Sequence, residues 1–167
     1  MKLAVIGLGL IGGSMALDLK ECGFVSVVYG VDQNPDHCKE ALELKIVDKI
    51  CSLAEAYKLA DLILISTPVG VMLKILPEIL DNVTENQTVF DVGSTKGIIG
   101  EIIENHSNRK NFVATHPMAG TEFSGPKAAH LGLFKNKATV ICDADLSHAE
   151  HIKKVTDMYN ALEMRVV

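Results

Sequence analysis

An apolar run, Leu3 to Ile6, leads straight into Gly7-Leu8-Gly9-Leu10-Ile11-Gly12-Gly13-Ser14, and a helical pattern leads out of it. Each of the three spaced glycines has its own physical reason. Gly7 allows a tight strand-to-helix turn, Gly9 removes a side chain so that a pyrophosphate can approach the backbone, and Gly12 lets the helix pack close to the strand. The helix beyond aims its free N–H groups and positive dipole end at the phosphates. With 13 glycines in 167 residues, the spacing alone is weak. The context strengthens it, because Asp32 closes the next apolar run 20 residues after Gly12. The bland alternative is a tight turn that binds nothing.

Past that turn, short apolar runs alternate with helical patterns, the signature of a parallel sheet with crossover helices. Strands are expected at Lys2–Ile6, Val25–Val31, Val47–Cys51, Leu62–Ser66, Gln87–Val92, Asn111–Thr115, Ala138–Cys142 and Glu163–Val167. The first helix should run from Leu10 to Cys22, with Ile11, Met15, Leu19 and Cys22 buried and Gly23 as its cap. Helices follow from Pro35 to Leu44 and from Leu53 to Leu59. A longer one buries Val71, Met72, Ile75, Leu76, Ile79 and Leu80, with a kink or break at Pro77. Another turns Ile98, Ile99, Ile102 and Ile103 inward, and the last, Ser147 to Leu162, buries Ile152, Val155, Tyr159 and Leu162. Phe123 to Lys137 should hold a short helix at most. The expectation is one α/β domain over residues 1–167: a doubly wound, mostly parallel sheet of the Rossmann dinucleotide-binding type, with extra C-terminal strands.

Composition excludes several classes. The net charge is −5 and no basic run exists, which argues against nucleic acid and anionic membrane as partners. At 48% apolar residues the chain is core-rich, yet its apolar runs are far too short to span a bilayer. Met1-Lys2 leads directly into the first strand, so no leader peptide is expected. Cys22, Cys38, Cys51 and Cys142 are scattered without a C-x-x-C and read as buried thiols of a cytoplasmic protein, with no metal site.

In a parallel sheet the C-terminal strand ends share one rim, and ligands bind outside it. Every unusual polar cluster here follows such an end: Gly7–Gly12, Asp32, Ser66-Thr67-Pro68, Gly93-Ser94-Thr95-Lys96-Gly97 and His116 to Glu122. Asp32 can accept hydrogen bonds from both ribose hydroxyls of NAD and would repel the 2′-phosphate of NADP; alternatively it caps the helix after Pro35. His116 is the candidate for acid–base chemistry, although a loop histidine is often only polar surface. Ser94 and Lys96 could orient substrate or water, or simply cap a helix and face solvent. Glu122 could orient His116 or be solvated. His148 and His151 read as a solvated helix face, and His37, His106 and His130 lack partners in sequence. A small anionic substrate favours bidentate arginine, but Arg109 precedes its strand and Arg165 lies within the last one. That leaves Lys96 and Lys127 as candidate cations and points to part of the site coming from elsewhere.

The glycine loop, the block Asp91-Val92-Gly93-Ser94-Thr95-Lys96-Gly97 and the block His116-Pro117-Met118-Ala119-Gly120-Thr121-Glu122, with Ser124-Gly125 close behind, together resemble the prephenate dehydrogenase family. The histidine block is the most specific of the three. The resemblance implies an NAD-dependent oxidative decarboxylation of prephenate, or of arogenate, in tyrosine biosynthesis. It implies that His116 hydrogen-bonds the ring 4-hydroxyl and takes its proton as hydride leaves C4, with Ser94 beside that hydroxyl. Glu122 and Lys96 would lie near the substrate. Gly7, Leu8, Gly9, Leu10, Ile11, Gly12, Asp32, Ser66, Thr67, Pro68 and Gly93 would line the cofactor. The family continues into a helical C-terminal domain that forms a homodimer and supplies an arginine, so this chain would be the cofactor-binding part. Two rivals use the same fold. One is a hydroxy-acid dehydrogenase, which would want a lysine base. The other is a non-catalytic NAD-binding regulatory module, which leaves Ser94 and His116 without a chemical role.

Overall fold

The computed structural model describes residues 1–167. Its strands are β1 (Lys2–Ile6), β2 (Val27–Val31), β3 (Lys49–Ile50), β4 (Leu62–Ile65), β5 (Thr88–Asp91), β6 (Phe112–Pro117), β7 (Ala138–Cys142) and β8 (Arg165–Val166). The helices are α1 (Leu10–Glu21), α2 (Pro35–Glu43), α3 (Leu53–Leu59), α4 (Val69–Asn82), α5 (Gly97–Ile103) and α6 (Ala149–Ala161). One sheet runs in the order β3-β2-β1-β4-β5-β6-β7-β8, and only the β6–β7 pair is antiparallel. The doubly wound expectation therefore holds, with β7 and β8 as the extra strands. The order reverses between β1 and β4, the switch point at which such sheets open a crevice.

Strand alternation divides the core into two layers. Leu3, Val5, Leu64, Phe90 and Val113 face one side and pack with α1 and α6 residues such as Met15, Leu19, Val155 and Tyr159. Ala4, Ile6, Ile63, Ile65 and Val89 face the other and pack with Ala56, Met72, Leu76, Ile79 and Ile99 of α3, α4 and α5. β4 is buried at all four positions, as a central strand covered on both sides must be.

Several expectations need correction. β6 does not stop at Thr115, because His116 pairs with Val140 and Pro117 with Thr139. Pro117 is tolerated there because the ladder to β5 has already ended, at Phe90 and Val113. α4 passes through Pro77 without a break. In α5, Ile99 and Ile103 are buried while Ile98 and Ile102 are 49% and 39% exposed: the helix sets its Ile99–Ile103 edge on the core and leaves the Ile98–Ile102 edge outward. None of the cysteines is fully buried: Cys22 is exposed, outside the α1 stripe, and the other three are half-buried. No helix is long and apolar enough to cross a membrane.

His151 is the largest surprise, for it is wholly buried on α6 rather than solvated. Its Nδ1 lies 2.7 Å from Thr88 Oγ1 at the start of β5. Burial holds its pKa below the ordinary histidine value, outweighing Glu150; Lys154 and His148 push the same way as burial. The unfolded chain then binds the extra proton first as pH falls. Stability contributed by neutral His151 is complete above the unfolded value of about 6.5 and declines as the solution is acidified below it. Urea midpoints should therefore drop between pH 7.5 and pH 5.5, and His151→Gln should flatten that slope. An equal slope in both proteins would clear His151 of the effect.

Candidate active site

The β1–α1 turn is built on close approach. Gly7 has φ +98°, and a Cβ there would lie 2.8 Å from the Ser66 carbonyl carbon. A Cβ on Gly12 would lie 2.2 Å from Ser66 Oγ and 2.4 Å from the Gly7 oxygen. The Ser66 hydroxyl donates to the Gly7 carbonyl at 2.6 Å, and the Gly7 N–H donates to the Val31 carbonyl at 2.8 Å. So the ends of β1, β2 and β4 are bound to one another around α1. Gly9 is the opposite case: nothing lies within 4 Å of where its Cβ would be. No side chain caps α1 and its first turn carries no acid. An open N-terminus beside free space fits a phosphate group.

Asp32 joins the turn to the end of β2. Its Oδ2 accepts the Leu8 N–H at 2.8 Å, and its Oδ1 accepts the Asn34 N–H at 2.8 Å. The cap of α2 is Asn34, which accepts from the Asp36 N–H at 2.9 Å, so the capping alternative for Asp32 falls away. A cavity of about 330 Å3 opens at the switch point, lined by Gly7, Gly9, Asp32, Ser66, Thr67 and Pro68 and walled by Leu53, Val71 and Ile75. His37 also lines it, with Nδ1 3.4 Å from Asp32 Oδ2. Sequence reasoning missed His37; the Asn34-Pro35 helix start, which folds the first turn of α2 back toward Asp32, was the available signal. Leu8 and Leu10 are buried and can offer a ligand only their backbone.

The second half of the rim lies at β5 and β6. Ser94 is exposed on the loop after β5, His116 is half-buried at the end of β6, and Glu122 is exposed beyond it. The strands β1 and β6 are three spacings apart, about 14 Å. The segment beyond the histidine block folds back toward the β1 side of the sheet. The His130 N–H donates to Ser14 Oγ at 3.0 Å, the Gly132 N–H donates to Asp18 at 2.8 Å, and Lys127 pairs with Glu40 of α2 at 2.9 Å. Residues 127–132, which follow the histidine block, are thereby strapped against α1 and α2, and α1 is the helix that begins at the glycine turn. A second hollow of about 390 Å3, lined by residues 118–121, His130 and Lys137, lies along this strap.

Beneath Ser94 sits a buried ion pair absent from the sequence reading. Lys96 donates to Asp91, whose carboxylate also accepts the Gly93 N–H at 2.9 Å and the Thr115 N–H at 3.2 Å. Burial pushes the Asp91 carboxyl up, against the pull of Lys96 and the two N–H groups. Of the arginines, Arg109 is buried over Phe112 at the far end of β6, 5.5 Å from the ring centroid. Arg165 pairs beside Ala138 at the start of β7, so it stands at the rim end of the edge strand, about 10 Å from β6 by strand spacing. Lys127, offered above as a cation, is paired with Glu40.

A doubly wound sheet with this turn, an uncapped helix start and an acid after its second strand defines a nucleotide-binding domain. Residues 15–167 match the family described as prephenate dehydrogenase, nucleotide-binding domain, and the chain belongs to that family. Prephenate dehydrogenase of Lactococcus lactis subsp. cremoris is 32% identical over 155 residues, which are 91% of this chain and 44% of the relative. The chain thus spans under half the length of that relative. Prephenate dehydrogenase from A. aeolicus, solved with hydroxyphenyl propionate and NAD+, superposes with a TM-score of 0.90 at 27% identity, over 100% of this chain and 59% of the other. Synechocystis arogenate dehydrogenase superposes with a TM-score of 0.89 at 29% identity, over 100% and 59%.

The two loop glycines separate binding from folding. Gly12→Ala drives a methyl into backbone and should cost about 1–3 kcal/mol of stability. Gly9→Ala points into open space and should cost about 1 kcal/mol or less, yet weaken dinucleotide binding at least tenfold. Thermal melts and calorimetric titration of both variants check this, and a Gly9→Ala protein with unaltered affinity would move the phosphates away from the turn.

Proposed function

We propose that this chain is the NAD-binding part of an enzyme that converts prephenate to 4-hydroxyphenylpyruvate with loss of CO2. The observation that supports the reading is that Ser94 follows the C-terminal end of β5 and His116 stands at the C-terminal end of β6, on the rim that carries the glycine turn, while residues 130–132 beyond the histidine block are bonded back to α1. Gly7 to Gly12 and Ser66 to Pro68 would hold the cofactor, and Asp32 would receive its adenosine ribose. When bound, NAD supplies the hydride acceptor. His116 accepts the ring 4-hydroxyl proton as C4 is oxidised. It returns that proton to the phenolate oxygen once the ring C1–carboxylate bond has broken and CO2 has left. Ser94 orients the hydroxyl, and Glu122 borders the substrate opening. Aromatisation drives the loss of CO2, so the chain's residues position and polarise.

Arogenate, with an amine in place of the side-chain keto group, is the second substrate considered, and the likeness to the Synechocystis arogenate dehydrogenase favours testing it. The half of the curated relatives that this chain does not span would complete the site and form the dimer.

Two measurements test the reading. The 167-residue chain should bind NAD more tightly than NADP in calorimetry, and equal affinities would remove Asp32 from the choice. In the intact enzyme, His116→Asn should lower kcat on the order of 10²–10⁴-fold and leave NAD affinity within about twofold. NADH absorbance with prephenate or arogenate reports the rate, and a variant as fast as the unaltered enzyme would take His116 out of the reaction.

A further inference from the structure

We infer that the buried Asp91–Lys96 pair is the positioning device that sets the separation between Ser94 and His116, so that Lys96 serves the reaction through Asp91 and not by gripping substrate. This rests on the roles of His116 and Ser94 proposed above.

The regular pairing of β5 with β6 consists of Val89 with Phe112 and Phe90 with Val113, and then it stops. From Ala114 onward β6 pairs with β7 instead. The loop that carries Ser94 and the end of β6 that carries His116 therefore lie where no ladder joins β5 to β6. Asp91 fills that gap. Its Oδ1 accepts the N–H of Thr115, the residue before His116. Its Oδ2 accepts the N–H of Gly93, the residue before Ser94. Its backbone carbonyl accepts the Thr115 hydroxyl. A single residue is thus bonded to the neighbours of both reacting side chains. Thr115 is fixed in turn by the Tyr159 hydroxyl from α6.

Asp91 is wholly buried, and a buried carboxylate stays ionised only beside a cation. Lys96 is that cation, and its own side chain is 13% exposed. Its ammonium is committed to the carboxylate. Ala114 lies level with Asp91, and the two-residue period of β6 puts His116 on the same side, about 7 Å further along. A shift of Asp91 would be felt at His116 through one peptide.

In the intact enzyme, Asp91→Asn and Lys96→Met should each lower kcat on the order of 10²-fold, with substrate KM and NAD affinity within about twofold. The double variant buries no unpaired charge, so it folds even where a single variant does not. It should lose no more than the worse single, because both changes remove one restraint. Lys96→Arg keeps a cation and should recover most of the rate. A tenfold rise in KM on Lys96→Met, with Asp91→Asn near full kcat, would make Lys96 a substrate ligand and overturn the inference. Parallel losses of kcat, melting temperature and NAD affinity in the double variant would also overturn it, since they mark general loosening. The unaltered enzyme is assayed with prephenate and arogenate beside them. Inactivity on both sinks the proposed reaction and this inference with it, whereas activity that none of the variants disturbs sinks the inference alone.

Discussion

Helix α1 lies against the ends of β1 and β4 at a distance that no side chain on Gly12 would permit. The rest of the site follows from that contact. Because α1 is drawn down onto Gly7 and Ser66, its uncapped first turn ends at the rim and not above it. Because β4 supplies Ser66, the contact falls where the strand order reverses, and the cavity opens beside it. The backbone N–H groups at the start of α1 then provide positive potential without any basic side chain. A chain of net charge −5 can attract phosphate in this way.

The same solution recurs along the rim. At the ends of β2, β4 and β5 a polar side chain carries the bonding one step further. Asp32 reaches from β2 to the Leu8 N–H, Ser66 from β4 to the Gly7 carbonyl, and Asp91 from β5 to the Thr115 N–H. Backbone groups that leave a sheet in a crowded place must still be paired. Meeting that need with side chains from the neighbouring strand makes adjacent loops move together. The two carboxylate bonds contribute about 1.5–3 kcal/mol each and the neutral Ser66 bond about 0.5–1.5 kcal/mol, enough to hold a loop to its neighbour.

What could be read from the sequence follows the same division. The glycine turn was legible because its constraint is steric and is written in residue type at Gly7, Gly9 and Gly12. The strands were legible because double burial leaves continuous apolar runs, as in Leu62 to Ile65. The end of β6 was not, because antiparallel pairing with a strand 20 residues downstream, and not local preference, carries it through His116 and Pro117. His151 was misread because nothing beside it in sequence announces Thr88, 63 residues away. Asp91 stood in plain view within a recognisable block, yet its work depends on Thr115 of the next strand, and only the fold brings them together. Side chains that act across strands are hidden from any local pattern.

The proposed substrate carries two carboxylates, and the placement of cations limits how this chain could hold them. Lys96 is committed to Asp91, and Lys127 to Glu40. Arg109 is buried at the far end of its strand. Lys137 and Arg165 stand at the rim end of the sheet, on the β7–β8 side of His116, and both are exposed. An exposed cation contributes roughly 1 kcal/mol or less toward a carboxylate, because water competes for both charges. The same pair removed from water contributes several times more, provided its remaining hydrogen bonds are met. Under the proposed reading, then, tight grip on the substrate requires a surface that closes over this side of the rim and excludes water. Met118, whose side chain is 60% exposed, lines the same hollow as Lys137 on the segment that follows His116.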